Sequence, residues 1–205
     1  MKAALVNFNF TPTWLLDSGL NYVIYDRSDS KDYLKDFPQE RIFYTQNIGQ
    51  VDWDKLGCLI DNYDTLPDVF LWGKTNLFKY VTEERWSEVK DTKDFTPLLK
   101  YDHPAFSDPS GVCCYYDQGI YWERSNLLWM GEWRFYENYP DFARAFEIPY
   151  GDFVPFAPGG NYILTKEVVH KYPKDFYARM RSVLPYCSNP PEAHWCERVY
   201  FTLWH

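Results

Sequence analysis

The chain has 205 residues, of which 46% are hydrophobic and 20% aromatic, and its formal net charge is −8. That length suits one domain, and the apolar content is too high for a disordered chain. An acidic balance without any Lys/Arg cluster argues against nucleic acid as partner. The lack of a run of about 18 apolar residues argues against a membrane span.

In chain order, residues 3–8 ("AALVNF") read as a buried strand instead of a signal peptide, because Asn7 and Asn9 interrupt the apolar run. Thr11 and Pro12 suit a helix start, and "TWLLDSG" a brief helix closed by Gly19. "NYVIYD" (21–26) and "RIFYT" (41–45) are the second and third strands, with a polar loop holding one helical turn between them. Trp53, Leu56, Leu59, Ile60 and Tyr63 recur at helical spacing, with Asp52 as a plausible cap. "VFLW" (69–72) is a fourth strand, and "NLFKYV" a helix behind the turn after it. The region 91–150 is irregular, with strands expected at "VCCYY" and "IYWER" and a helix near "DFARAF". "NYIL" (161–164) is a late strand. Three helices close the chain: "TKEVVHKY" capped by Thr165, "PKDFYARMRSVL" opened by Pro173, and "EAHWCERVYFTLW". The alternation predicts an α/β fold: a single layered domain with a central mixed, mostly parallel sheet flanked by helices. The odd set Cys58, Cys113, Cys114, Cys187 and Cys196 has no zinc-like spacing and reads as reduced thiols of a cytoplasmic protein.

Ligands of open α/β sheets bind beyond the carboxyl ends of the strands. The residues there are polar: Asn7 after the first strand, Asp26 and Arg27 after the second, "GKTN" after the fourth. Asp26 suits a base or ribose and Arg27 a phosphate, or "DRSDS" is a solvated turn. Lys74 suits a pyrophosphate, or it follows an ordinary turn glycine; the stretch is no P-loop. The adjacent Gly159 and Gly160 fit either a tight turn or close approach by another molecule. Asp52-Trp53-Asp54 spells D-x-D but opens a helix, where carboxylates are ordinary. On the last helix, His194 and Arg198 are four apart; a Glu there is either a general base or half of a structural pair with Arg. No G-x-S-x-G or H-E-x-x-H occurs. Nine Trp and eighteen Tyr exceed what a core needs, and rings around 113–136 suit stacking on sugars.

The blocks "NIGQ", "LGCLIDNYDTLPDVFLWGK", "FAPGGNYILTKE", "DFY" and "ERVYFTLW" occur in fixed order. Together they resemble a family of small domains with N-x-G, Y-D-x-L-P-D, G-G-N and E-R-x-x-x-x-L-W blocks, over most of residues 40–205. That family is similar to GT-A type glycosyltransferases, including those of large DNA viruses of algae that build capsid glycans from UDP-sugars with manganese. The resemblance implies one glycosyltransferase-like domain over 1–205, with a nucleotide-binding half (1–90) and an acceptor half (91–205). It implies a nucleotide pocket at Asp26 and the turn of Asn47 and Gly49, a donor sugar near Gly159, Gly160 and Asn161, and a catalytic carboxylate from Glu192 or Glu197. The partners would be a nucleotide-sugar donor and a glycan or glycoprotein acceptor. One departure stands out: the strand that should end in D-x-D ends in Gly73-Lys74-Thr75. Either Mn²⁺ or Mg²⁺ is held elsewhere, with Asp64 and Asp68 as ligands, or Lys74 replaces it, or the chain is no transferase. The rivals are a binding module that recognises carbohydrate or nucleotide without turnover, and an assembly protein with an aromatic surface.

Overall fold

A computed structural model describes residues 2–99, 114–117, 120–125 and 134–205. Strands β1 (Lys2–Asn7), β2 (Asn21–Asp26) and β3 (Ile42–Tyr44) precede helix α1 (Gln50–Asp61) and strand β4 (Val69–Lys74). Next come α2 (Glu83–Val89), β5 (Thr96–Leu98), β6 (Cys114–Asp117) and β7 (Ile120–Arg124). They are followed by α3 (Tyr139–Ala145), β8 (Phe153–Phe156) and β9 (Asn161–Thr165), then α4 (Lys166–Val169), α5 (Lys174–Ser182) and α6 (Pro191–Trp204).

One sheet has the order β3-β2-β1-β4-β9-β5. β1 pairs in parallel with β2 and β4, and β2 with β3, whereas β9 is antiparallel to both its neighbours. β1 is buried from Ala3 to Asn7, because helices and turns cover both faces of a parallel strand and select a continuous apolar run. From β1 the chain moves to one side for β2, and later to the other side for β4. The carboxyl ends of β1 and β4 therefore flank a topological switch point, where a crevice forms. β9 enters the sheet at the same rim, since Tyr162 is opposite Trp72. A second antiparallel sheet, β6-β7-β8, lies against α6.

The two faces of the main sheet carry separate cores. On one, α1, α5 and α6 bury Trp72, Tyr162, Tyr200 and Trp204 as a ring cluster. Tyr200 stacks on Trp204 at 5.1 Å, and Trp72 meets Trp204 edge-on at 5.1 Å. On the other, Leu15, Leu34 and Leu77 pack from short 3₁₀ turns, joined by Val81. Much of the aromatic excess is thus structural, with rings supplying area where aliphatic chains are few.

The predicted strands and the last three helices form, and Thr165 caps α4 by accepting a hydrogen bond from the Val168 amide. "TWLLDSG" and "NLFKYV" tighten to single 3₁₀ turns at Thr13–Leu15 and Leu77–Lys79. Three elements have no counterpart in the sequence reading. β5 and β8 are short, and α2 hides in a charged stretch that Thr82 caps through the Arg85 amide. Val112 and Cys113 of the expected strand "VCCYY" lie outside the described residues.

The start of α1 also differs. Its cap is Gly49, at φ +64°, and not Asp52. A Cβ on Gly49 would lie 2.7 Å from Trp53 Cβ and 3.1 Å from Leu184 Cβ. The Gly49 amide donates to the Cys187 carbonyl at 2.7 Å. Gly49 is therefore a packing point between α1 and the loop after α5, and it does not line the cavity described next.

Candidate functional site

Three strand ends are laced together at the switch point. Asn7, fully buried at the end of β1, donates through Nδ2 to Asp26 Oδ1 and Ser28 Oγ, both at 3.1 Å. Its Oδ1 accepts from the Thr75 hydroxyl, just past β4. Asp26 Oδ1 also accepts from the Ser28 amide at 3.2 Å and the Ser28 hydroxyl at 2.6 Å. Sequence reading offered Asn7 and Asp26 to a nucleotide. Their polar groups instead tie the rim together, and neither residue lines the cavity.

That cavity holds about 370 Å³ and is lined by Arg27, Asn47, Gln50, Lys74, Asn76 and Tyr80, with Phe8 and the Ser188–Asn189 loop closing it. Arg27 is 3% exposed. Its Nε and Nη2 donate to Asn47 Oδ1 at 3.2 and 2.8 Å, and Nη2 donates to the Ile48 carbonyl at 2.9 Å. Asp54 Oδ2 of α1 lies 3.7 Å from Nη1. Burial lowers the Arg27 pKa, opposed by Asp54 and Asp52. Burial likewise pushes Asp54 up to about 6 although Arg27 pulls it down. Arg27 and Asn47 thus line the cavity, with the guanidinium already anchored behind it.

Lys74 and Asn161 meet at the other end. The Lys74 amide donates to Asn161 Oδ1 at 2.8 Å, which fixes the start of β9 to the end of β4. The Lys74 ammonium is 3.5 Å from Glu197 Oε1 of α6 and 5.2 Å from the Tyr80 ring centre. Burial would lower the Lys74 pKa, but Glu197, Tyr80 and Asp52 outweigh it and raise it. For Glu197 burial acts upward, and Lys74, Lys55, Arg198 and His194 together bring it below the usual carboxylate value. Behind this pair, Lys55 of α1 donates to the Gly160 carbonyl and lies 3.9 Å from the Trp72 ring centre.

The paired glycines answer both halves of the question they raised. Gly159 (φ +90°) and Gly160 (φ +60°) make a turn that L residues rarely adopt. A Cβ on Gly159 would lie 2.6 Å from Tyr80 Cγ, and one on Gly160 would lie 3.1 Å from both Glu197 Oε1 and Lys55 Nζ. The molecule that approaches these backbones is the chain itself, and neither glycine lines the cavity.

Two expectations need correction. Glu192 is fully buried, and its Oε1 accepts from the Phe135 amide at 3.0 Å while Tyr186 donates to Oε2. It fastens the start of α6 to the 134–135 segment, away from Lys74. Asp64 and Asp68 are exposed and precede β4. The cavity lies at the opposite end of that six-residue strand, about 17 Å away at 3.3 Å per residue. They are not ligands for anything bound there. The cavity lining offers amide, hydroxyl and cationic groups but no carboxylate, and no metal-binding group of three or more His, Cys, Asp or Glu occurs among the described residues. A hard divalent cation wants several oxygen ligands, carboxylates foremost, so this donor set does not fit one.

Sequence reasoning missed Tyr80, Ser188 and Asn189 as lining residues. Tyr80 follows β4 closely, and the carboxyl-end rule extended by a few residues would have found it. It also missed that Asp52, Asp54 and Lys55 are buried. Asp52 and Lys55, three apart and so on one helix face, were the available signal. Arg198 does form a structural pair, but with Glu123 of β7. No family model, no curated protein and no solved structure matches this chain. No helix among the described residues is long and apolar enough to cross a membrane.

Proposed function

We propose that the chain is a glycosyltransferase-like enzyme that binds a nucleotide-diphosphate sugar, uridine-linked, and passes the sugar to a glycan or protein acceptor. One observation carries this reading. In a chain of net charge −8, the described residues that line the switch-point cavity include Arg27 and Lys74 and no carboxylate. Such a crevice attracts an anion that the rest of the surface repels. Its volume suits a small ligand, and the rings of Phe8 and Tyr80 offer flat faces to a base or sugar. The mixed sheet, parallel through its first half, fits the GT-A resemblance. Lys74 would offset the charge that builds on the departing diphosphate, where electrostatic help is greatest. Glu197, beside Lys74, is the carboxylate nearest that chemistry. The free thiols Cys58, Cys114, Cys187 and Cys196 fit a reducing, cytoplasmic setting.

A second reading, a binding module without turnover, is favoured by the same lack of a cavity-lining carboxylate. Thermal melting with UDP-glucose, UDP and glucose, each with and without Mn²⁺, tests the first step. A ligand at about 100 times its dissociation constant adds about 2.7 kcal/mol, or about 5–10 °C for a chain of this size. UDP-glucose and UDP should raise the melting temperature and glucose alone should not. No shift from any nucleotide would end the reading. Release of glucose from UDP-glucose on prolonged incubation marks the enzyme, and binding without release marks the module.

A further inference from the structure

We propose that Glu197 competes with the bound diphosphate for Lys74, so that ligand binding draws a proton into the charge cluster behind the cavity. This rests on the nucleotide-sugar reading above. Lys74 has two sides: it lines the cavity, and its ammonium is 3.5 Å from Glu197, which does not line it. The ammonium has three N–H donors to share, and a phosphate that draws it into the cavity lengthens its contact with Glu197.

The cluster behind is balanced and mostly buried, with Lys74 and Glu197 only partly exposed. From α1 come Asp52 and Lys55, each about 1% exposed. From α6 come Glu197, and also Tyr200, whose hydroxyl donates to Asp52 Oδ1 at 2.9 Å. His194 and Arg198 flank Glu197 on the same helix, and Arg198 is engaged by Glu123 of β7. Tyr162 of β9 and Tyr80 complete the shell. Asp52 and Glu197 against Lys55 and Lys74 sum to zero charge. Charges withdrawn from water are tolerated only while they are balanced. A diphosphate that takes Lys74 leaves two carboxylates against one ammonium. The cheapest repair is a proton.

The titrating groups suit that repair. Burial pushes Asp52 up to about 6, with Lys55 and Lys74 opposing it. Withdrawing Lys74 raises Asp52 further, and Glu197 with it. Burial lowers Lys55 to about 8, and excess negative charge moves it back up. Burial lowers His194, with Glu197 opposing and Arg198 and Lys74 adding to it, so His194 moves up with the others when Lys74 is withdrawn; burial raises Tyr162 and Tyr200. Every responding pKa is higher in the bound state. The affinity gain is therefore present at low pH and is lost as pH rises through the bound-state values.

The test is isothermal titration of the full chain with UDP-glucose from pH 5.5 to 8, in two buffers of different ionisation enthalpy. UDP-glucose lacks the phosphate monoester that titrates near ~6, so proton uptake belongs to the protein. The expected result is net uptake on binding, with affinity falling about 5-fold or more across that range. Glu197→Gln frees Lys74, so it should bind more tightly and with less proton uptake. A merely structural Glu197 would instead give weaker binding and an unchanged pH profile. Binding with no buffer dependence at any pH would overturn the proposal while leaving the nucleotide-sugar reading intact. The absence of any binding would defeat both. Should Glu197→Gln not fold, the buffer dependence of the unmodified chain decides alone.

Discussion

Lys74→Met should weaken UDP-glucose binding about 10- to 100-fold, since a hydrogen bond to a charged group contributes about 1.5–3 kcal/mol. Lys74 ends β4 at the switch point, and its amide is pinned by Asn161, so the ammonium is delivered to the cavity by fixed backbone. The substitution keeps the stem that packs beside Tyr80 and removes only the charge. It also leaves Glu197 without its nearest cavity-side cation, so some stability is lost. Binding should therefore be measured by titration calorimetry at a temperature well below the variant's own melting point. Lys90→Met is the control: Lys90 is exposed, caps α2, and does not line the cavity. Equal loss in both variants would mean that Lys74 acts only through net charge.

Glu123→Gln should destabilise the fold by about 3–5 kcal/mol without touching the cavity. Glu123 of β7 and Arg198 of α6 form an ion pair with both side chains almost wholly buried. Arg198 also donates to the His194 carbonyl at 2.6 Å and lies 4.8 Å from the Phe156 ring centre. The pair is the polar link between the second sheet and α6. Removing that carboxylate takes away the ion-pair partner of a guanidinium held out of water, and that penalty is larger than the pair's own net worth. Urea unfolding should show the loss. The double change Glu123→Leu with Arg198→Met should recover most of it, because neither charge is then buried alone. A Glu123→Gln loss below about 1 kcal/mol would place the pair among weak surface bridges.

The architecture was readable where physics is local. Apolar runs bounded by turn residues located β1 to β4 and β9, and helical spacing located α1. The carboxyl-end rule found the rim, so Arg27, Asn47 and Lys74 reach one cavity. What could not be read was where each polar group spends its hydrogen bonds. Asp26 is satisfied by Asn7, 19 residues away. Glu192 is satisfied by the Phe135 amide, 57 residues away. Gly160 is shaped by Lys55, 105 residues away. Partners at such separations exist only after folding, and they turn groups that look available into structural ties. Asp64 and Asp68 lie away from the cavity for another reason. Counting carboxylates around a strand ignores which end of it they occupy.

The most direct test of the account is a crystal structure of the chain grown with saturating UDP-glucose. The diphosphate should lie in the switch-point cavity with a phosphate oxygen about 3 Å from Lys74 Nζ and the Lys74–Glu197 distance lengthened. A diphosphate bound elsewhere, or a Lys74–Glu197 distance unchanged at saturation, would contradict it.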